Sequence, residues 1–196
     1  MGFQHDALTL ASDRSILHLM NSDTVIDAAI RRVADFPKPG ITFYDLTSLL
    51  AQPAAFRHTV DRMIETYRDR PVDAVAAIEA RGFLLAAPFA YSRGVPLVLL
   101  RKKGKLPGAT ISRSFDLEYG QDTVEVHRED VAPGRRILVV DDLIATGGTV
   151  EAACELLEEA GAIVSGIFAV VALPFLDYEK KLAGREIIYL QGYASE

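Results

Sequence analysis

Two adjacent carboxylates, Asp141 and Asp142, stand between an apolar run and a short glycine loop, Ala145-Thr146-Gly147-Gly148-Thr149. The run before them, Ile137-Leu138-Val139-Val140, is rich in β-branched residues and predicts a buried strand of a parallel sheet, ending at the acids. After the loop, Val150, Ala153, Cys154 and Leu157 recur at helical spacing. Strand, glycine loop and helix N-terminus together form a phosphate cradle. The glycines let backbone N–H groups close on an anion, and the free N–H groups and dipole of the helix add attraction. Acids at a strand's carboxyl end lie where open α/β sheets bind ligands. The combination predicts a sugar phosphate, with its phosphate on the loop and its ribose hydroxyls on Asp141 and Asp142. The loop is neither a Walker A sequence nor Gly-x-Gly-x-x-Gly.

Three further stretches carry chemistry. Residues 95–100 predict another buried strand, which runs into Arg101-Lys102-Lys103-Gly104-Lys105. Four cations in five residues form the one strong positive patch of a chain whose net charge is −6. A charge run is usually a solvated face. This one leaves a buried strand, which favours diphosphate binding. Arg81, in Glu79-Ala80-Arg81-Gly82-Phe83, sits where a predicted strand (residues 73–78) meets a helix start. In Phe36-Pro37-Lys38-Pro39-Gly40-Ile41-Thr42-Phe43-Tyr44-Asp45, two prolines and a glycine forbid a helix. That segment is either a rigid connector or a loop presenting backbone groups and the Phe43 ring to a flat ligand.

The elements that must position these residues follow from periodicity. A helix from Ser22 or Asp23 would bury Val25, Ala28, Ala29 and Val33. A second, from Pro53 to Tyr67, would bury Phe56, Val60, Met63, Ile64 and Tyr67 and leave His58 and its arginines in solvent. Residues 109–128 alternate as a two-stranded ribbon turning near Gly120-Gln121-Asp122. Gly161 should end the helix after the central loop. A buried strand over residues 163–173, a short helix over 178–182 and a last strand over 186–190 complete a parallel α/β sheet.

The 196 residues suffice for one domain with a sizeable core. Hydrophobic residues are 49% and charged residues 24%, the mix of a globular protein. The acidic balance argues against general nucleic-acid binding. The single cysteine, Cys154, excludes an intramolecular disulfide framework and reads as a core residue. No signal-peptide pattern or bilayer-length apolar run is read, so a reducing cytoplasm is the expected location, with no membrane partner. His5 and His18 lack metal-ligand spacing, and His127 reads as structural. Residues 1–22 are read as an extension of unassigned role.

The acidic pair and loop resemble the phosphoribosyl-diphosphate (PRPP) motif of type I phosphoribosyltransferases. Phe-Pro-x-Pro-Gly-x-x-Phe-x-Asp, Lys105-Leu106-Pro107-Gly108 and Leu117-Glu118-Tyr119-Gly120 narrow the resemblance to adenine phosphoribosyltransferases, over roughly residues 23–193. It implies a parallel-sheet core flanked by helices, a small N-terminal hood (about 23–50) and a mobile loop (about 102–119) on a projecting β-ribbon. The implied reaction joins adenine to PRPP, giving AMP and diphosphate. Adenine would sit at Thr42, Phe43 and Tyr44, read largely through main-chain groups; many relatives carry Arg at Tyr44. Asp141, Asp142 and residues 145–149 would hold PRPP or AMP. Diphosphate would lie on Glu79, Ala80, Arg81, Arg101, Lys102 and Lys105, with Arg81 and Glu118 as catalytic residues and Tyr119 in the loop. Mg²⁺ would arrive through PRPP oxygens and waters rather than in an all-protein cage. A homodimer is expected. One rival is a phosphoribosyltransferase for another base such as xanthine or orotate. Another is a non-catalytic ligand-sensing regulator, for which 1–22 are too few to supply a DNA-binding unit.

Overall fold

The computed structural model describes residues 23–116 and 120–194. The chain begins with α1 (Thr24–Ala29), β1 (Arg31–Val33), β2 (Phe43–Asp45) and α2 (Thr47–Leu50). Next come α3 (Pro53–Thr66), β3 (Ala74–Ile78), α4 (Arg81–Arg93) and β4 (Leu97–Lys102). The pair β5 (Thr110–Asp116) and β6 (Gln121–His127) precedes β7 (Arg136–Ile144) and α5 (Gly148–Glu159). The chain closes with β8 (Ile163–Ala172), α6 (Tyr178–Lys181) and β9 (Ile187–Gly192).

β1 and β2 make a small antiparallel sheet of their own. The other seven strands form one sheet in the order β5-β6-β4-β3-β7-β8-β9. From β4 to β9 neighbouring strands run parallel, as helical crossovers require. The β5–β6 ribbon extends this sheet, because Arg101 and Lys102 pair antiparallel with Glu125 and Val124. Strand order reverses between β3 and β7: from β3 the chain builds outward to β4, and from β7 the other way to β8 and β9. Ligand crevices form at the carboxyl ends of strands at such a switch point.

Both faces of the sheet are covered. Ala74, Ala76 and Ile78 of β3 face Cys154 and Leu157 of α5, whereas Val75 and Ala77 face Leu85 and Phe89 of α4. Each large side chain buried this way contributes about 1.5–3 kcal/mol. Cys154 is a free core residue, and burial pushes its thiol up to about 12. Among the described residues no helix is long and apolar enough to cross a membrane.

Three expectations need correction. β7 does not stop at the acids but runs to Ile144, because β8 keeps pairing beside it through Ile144↔Ala172. α1 buries Ile26 and Ala29, leaves Val25 45% exposed, and ends before Val33, which lies in β1. His58 and Arg62 are not simply solvated. Both reach Asp23 Oδ2 at 2.8 Å. Asp23 is buried and caps α1 by accepting the N–H groups of Val25 and Ile26. Burial opposes its charge, but the His58 hydrogen bond and the two N–H groups hold its carboxyl below the usual range. Residues 1–22 with His5 and His18, and residues 117–119 with Glu118 and Tyr119, lie outside the described residues.

Candidate active site

β3 and β7 lie side by side, with Ala77 opposite Val140, so the chain leaving each strand meets over one edge. From β3 come Glu79 and Ala80, joined by a cis peptide bond, and then Arg81 at the start of α4. From β7 come Asp141 and Asp142. Arg81 Nε donates to Asp142 Oδ2 across 61 positions of sequence. Gly82 permits this approach: a Cβ there would stand 2.9 Å from the Val140 carbonyl oxygen and 3.4 Å from the Asp141 Cα.

The two acids are nearly buried, at 9% exposure for Asp141 and 6% for Asp142. Burial, then the charge of Asp142, raises Asp141 well above the usual carboxylate range. Its Oδ1 accepts the Asp142 N–H at 2.8 Å. Arg81 behaves oppositely: burial works against its charge, but the bond to Asp142 and the charges of Asp142, Asp141 and Asp45 raise it. The pair therefore offers one carboxylate balanced by a cation and one carboxyl that keeps its proton more readily. The oxygens of both side chains can hydrogen-bond sugar hydroxyls.

Two cavities meet at Asp141. One, about 280 Å³, is lined by Glu79, Arg81, Arg101, Lys102, Asp122 and Asp142, among others. The other, about 90 Å³, is walled by the glycine loop, Ala145, Thr146, Gly147, Gly148 and Thr149. Asp141, Leu143 and Thr149 border both. Gly147 has φ +80°, and a Cβ there would stand 3.1 Å from the Tyr178 Cβ, so only glycine fits above α6. Gly148 is the first residue of α5 and is buried.

The basic run divides. Arg101 Nε and the Lys102 N–H both donate to Glu79 Oε2 at 3.1 Å. Burial opposes the Glu79 charge, but these bonds bring its carboxyl below the usual range. Lys102 Nζ lies 3.0 Å from Asp122. Lys105 does not itself line the cavity, but its charge adds to those holding the Glu79 carboxyl down. Its N–H, like that of Leu106, donates to Glu125 Oε1 at 2.9 Å, which fixes the turn after β4. Sequence reading missed Asp122, Glu125 and Gly82. Asp122 resembled a turn residue. Glu125 gave one signal, a lone acid between two valines.

A family model described as "Phosphoribosyl transferase domain" matches residues 45–186. An adenine phosphoribosyltransferase of Treponema denticola is 58% identical over 96% of this chain and 99% of its own length. The chain belongs to the adenine phosphoribosyltransferase family. A crystal structure of the adenine phosphoribosyltransferase from Thermoanaerobacter pseudethanolicus superposes with a TM-score of 0.82 at 46% identity, covering 86% of this chain and 98% of that one. The Saccharomyces cerevisiae enzyme, solved with adenine and an imino-altritol bisphosphate, gives 0.80 at 32% identity, covering 85% and 97%.

The adenine phosphoribosyltransferase resemblance placed the base at Thr42, Phe43 and Tyr44. The Phe43 ring meets Phe36 edge-on, 5.1 Å between centroids. The Tyr44 side chain turns inward and is buried, 7% exposed. Only its main chain remains for a ligand. At the end of β2, the Thr47 hydroxyl and N–H donate to Asp45 Oδ1 and hold its carboxyl below the usual range, with smaller help from the Arg31 and Arg81 charges.

Proposed function

We propose that the chain transfers the 5-phosphoribosyl group of PRPP to adenine, releasing diphosphate and AMP, a purine-salvage reaction. One observation carries the reading: Arg81, distant in sequence from the two acids and the glycine loop, meets them around two adjoining cavities at the sheet's switch point. The small cavity suits the 5′-phosphate, held by backbone N–H groups at the start of α5. Asp141 and Asp142 suit the ribose hydroxyls. The large cavity suits diphosphate, with Arg81, Arg101, Lys102 and the main chain of Glu79 and Ala80 around it. Each of these cations is already paired with an acid, so diphosphate would replace Asp142, Glu79 and Asp122 as their partner.

The bond between the anomeric carbon and the diphosphate oxygen breaks, and its electron pair leaves with diphosphate. The cations of the large cavity stabilise that charge. The adenine ring nitrogen bonds to the anomeric carbon and gives up its proton, for which Glu118 is the acceptor. Thr42, Phe43 and Tyr44 position the base, and closure of residues 102–119, Tyr119 included, excludes water.

Mg²⁺ is the proposed cofactor. Asp141 and Asp142 are oxygen donors suited to a cation that comes with substrate phosphates. Among the described residues there is no group of three side chains able to cage a metal. Bound with PRPP, Mg²⁺ would add positive charge at the diphosphate oxygens.

We assign residues 23–196 to a single domain, with 23–50 as a hood over the base and 1–22 as an extension. For location we propose the reducing cytoplasm, with which the free, buried Cys154 agrees. For assembly we propose a homodimer through α3 and α4. Leu84 and Tyr91 on α4 are 50% and 90% exposed. Pro53, Phe56, Val60 and Pro88 line an apolar groove flanked by Arg57 and Asp61, a self-complementary charge pair. Tyr91→Glu should yield monomers in sedimentation velocity; an unchanged dimer would place the interface elsewhere.

The activity is tested by supplying PRPP with adenine, hypoxanthine, guanine, xanthine and orotate side by side. Adenine should lead by at least about 10² in kcat/KM, because main-chain readout leaves unpaired groups against a 6-oxo base. Comparable turnover of hypoxanthine or guanine would overturn the assignment.

A further inference from the structure

The rings of Tyr44 and Tyr193 stack face to face, with centroids 4.0 Å and planes 8° apart. Tyr44 belongs to β2, and Tyr193 follows β9 at the far edge of the main sheet. Both are buried. The Tyr193 N–H donates to the Ala172 carbonyl at the end of β8, at 3.1 Å. Its hydroxyl donates to Asp27 of α1 at 2.7 Å. Asp27 also accepts from Arg32 of β1 at 2.6 Å, and that guanidinium stands 5.3 Å over the Tyr193 ring. One side chain thus joins the C-terminal end of the sheet to α1, β1 and β2.

Neighbouring residues of a strand face opposite ways. With Tyr44 fixed from below by Tyr193, Phe43 is fixed on the other side, against Phe36. We infer that Tyr193 is a positioning residue for the base site: it locks β2 through the Tyr44 ring, so that Phe43 and the Thr42 and Tyr44 main chain are set before the base arrives. This rests on the assignment of Thr42, Phe43 and Tyr44 to adenine. A site fixed in advance loses less freedom on binding. The residues assigned to phosphate and diphosphate belong to β7, β3, β4 and the segments that follow them, not to this stack. Loss of Tyr193 should therefore weaken base binding and spare PRPP.

The test is steady-state kinetics of the full-length enzyme with both substrates varied. Tyr193→Leu removes ring and hydroxyl. Its adenine KM should rise about tenfold, the size expected for a lost aromatic pair, with the PRPP KM within about twofold. Tyr193→Phe keeps the stack and loses only the bond to Asp27, so its adenine KM should rise about two- to threefold. Equal changes in both KM values, or none, would overturn the inference. If circular dichroism shows Tyr193→Leu unfolded, Tyr193→Phe decides by the same criterion. Phe43→Ala separates the two readings. If it leaves the adenine KM unchanged, the base lies elsewhere and both readings fall. If it raises the adenine KM and the Tyr193 variants do not, the base loop stands and the role of Tyr193 is refuted.

Discussion

Glu118→Gln should lower turnover by roughly 10²–10⁴-fold while leaving PRPP affinity within about twofold, the range general acid–base catalysis covers. The substitution keeps size and hydrogen bonding and removes the proton acceptor. Asp116 and Gln121 are the last pair described in the β5–β6 ribbon. Phe115 and Asp122, the pair before it, line the cavity assigned to diphosphate. PRPP binding is assigned to other residues, Asp141, Asp142 and the 145–149 loop, so it should not follow turnover down. Single-turnover kinetics and PRPP calorimetry on the same variant give both quantities. A fall of less than about threefold would mean that Glu118 only shapes the loop, and that positioning and electrostatics carry the reaction.

Gly148→Val should raise the dissociation constants of PRPP and AMP by about 10²-fold or more. A phosphate at the start of α5 takes charge-assisted bonds from backbone N–H groups, each worth roughly 1.5–3 kcal/mol, and losing two suffices. Gly148 is buried at the first helical position, beside the small cavity. A branched side chain there takes the space a phosphate oxygen needs. The fold should survive, since valine is no worse than glycine in a helix. Gly147→Val is the contrasting case. Its φ of +80° and the nearby Tyr178 Cβ make that variant lose stability as well as binding. Calorimetry with AMP and a thermal melt distinguish the two. Unchanged AMP affinity in Gly148→Val would place the phosphate elsewhere.

The amino-acid order alone determined what depends on neighbours within a few residues. The alternation around Thr123-Val124-Glu125-Val126 and the helical spacing of Val150, Ala153, Cys154 and Leu157 gave β6 and α5. The β-branched run before Asp141, with Gly147 and Gly148 after it, gave the strand, glycine loop and helix start, because each is encoded by adjacent residue types. Tertiary structure decided what depends on which strands become neighbours. Sequence periodicity carries no strand order, so it could not show that β3 lies against β7 and brings Arg81 to Asp142. Nor could it show that Gly82 is required by the Val140 backbone, a contact made only once that order exists. Asp23 read as a plain cap, yet His58 and Arg62 arrive from α3 to make it a buried charge centre. Tyr44 is assigned to the base through its main chain, and sequence alone could not show where its ring goes: Tyr193, 149 positions later, stacks on it in the core.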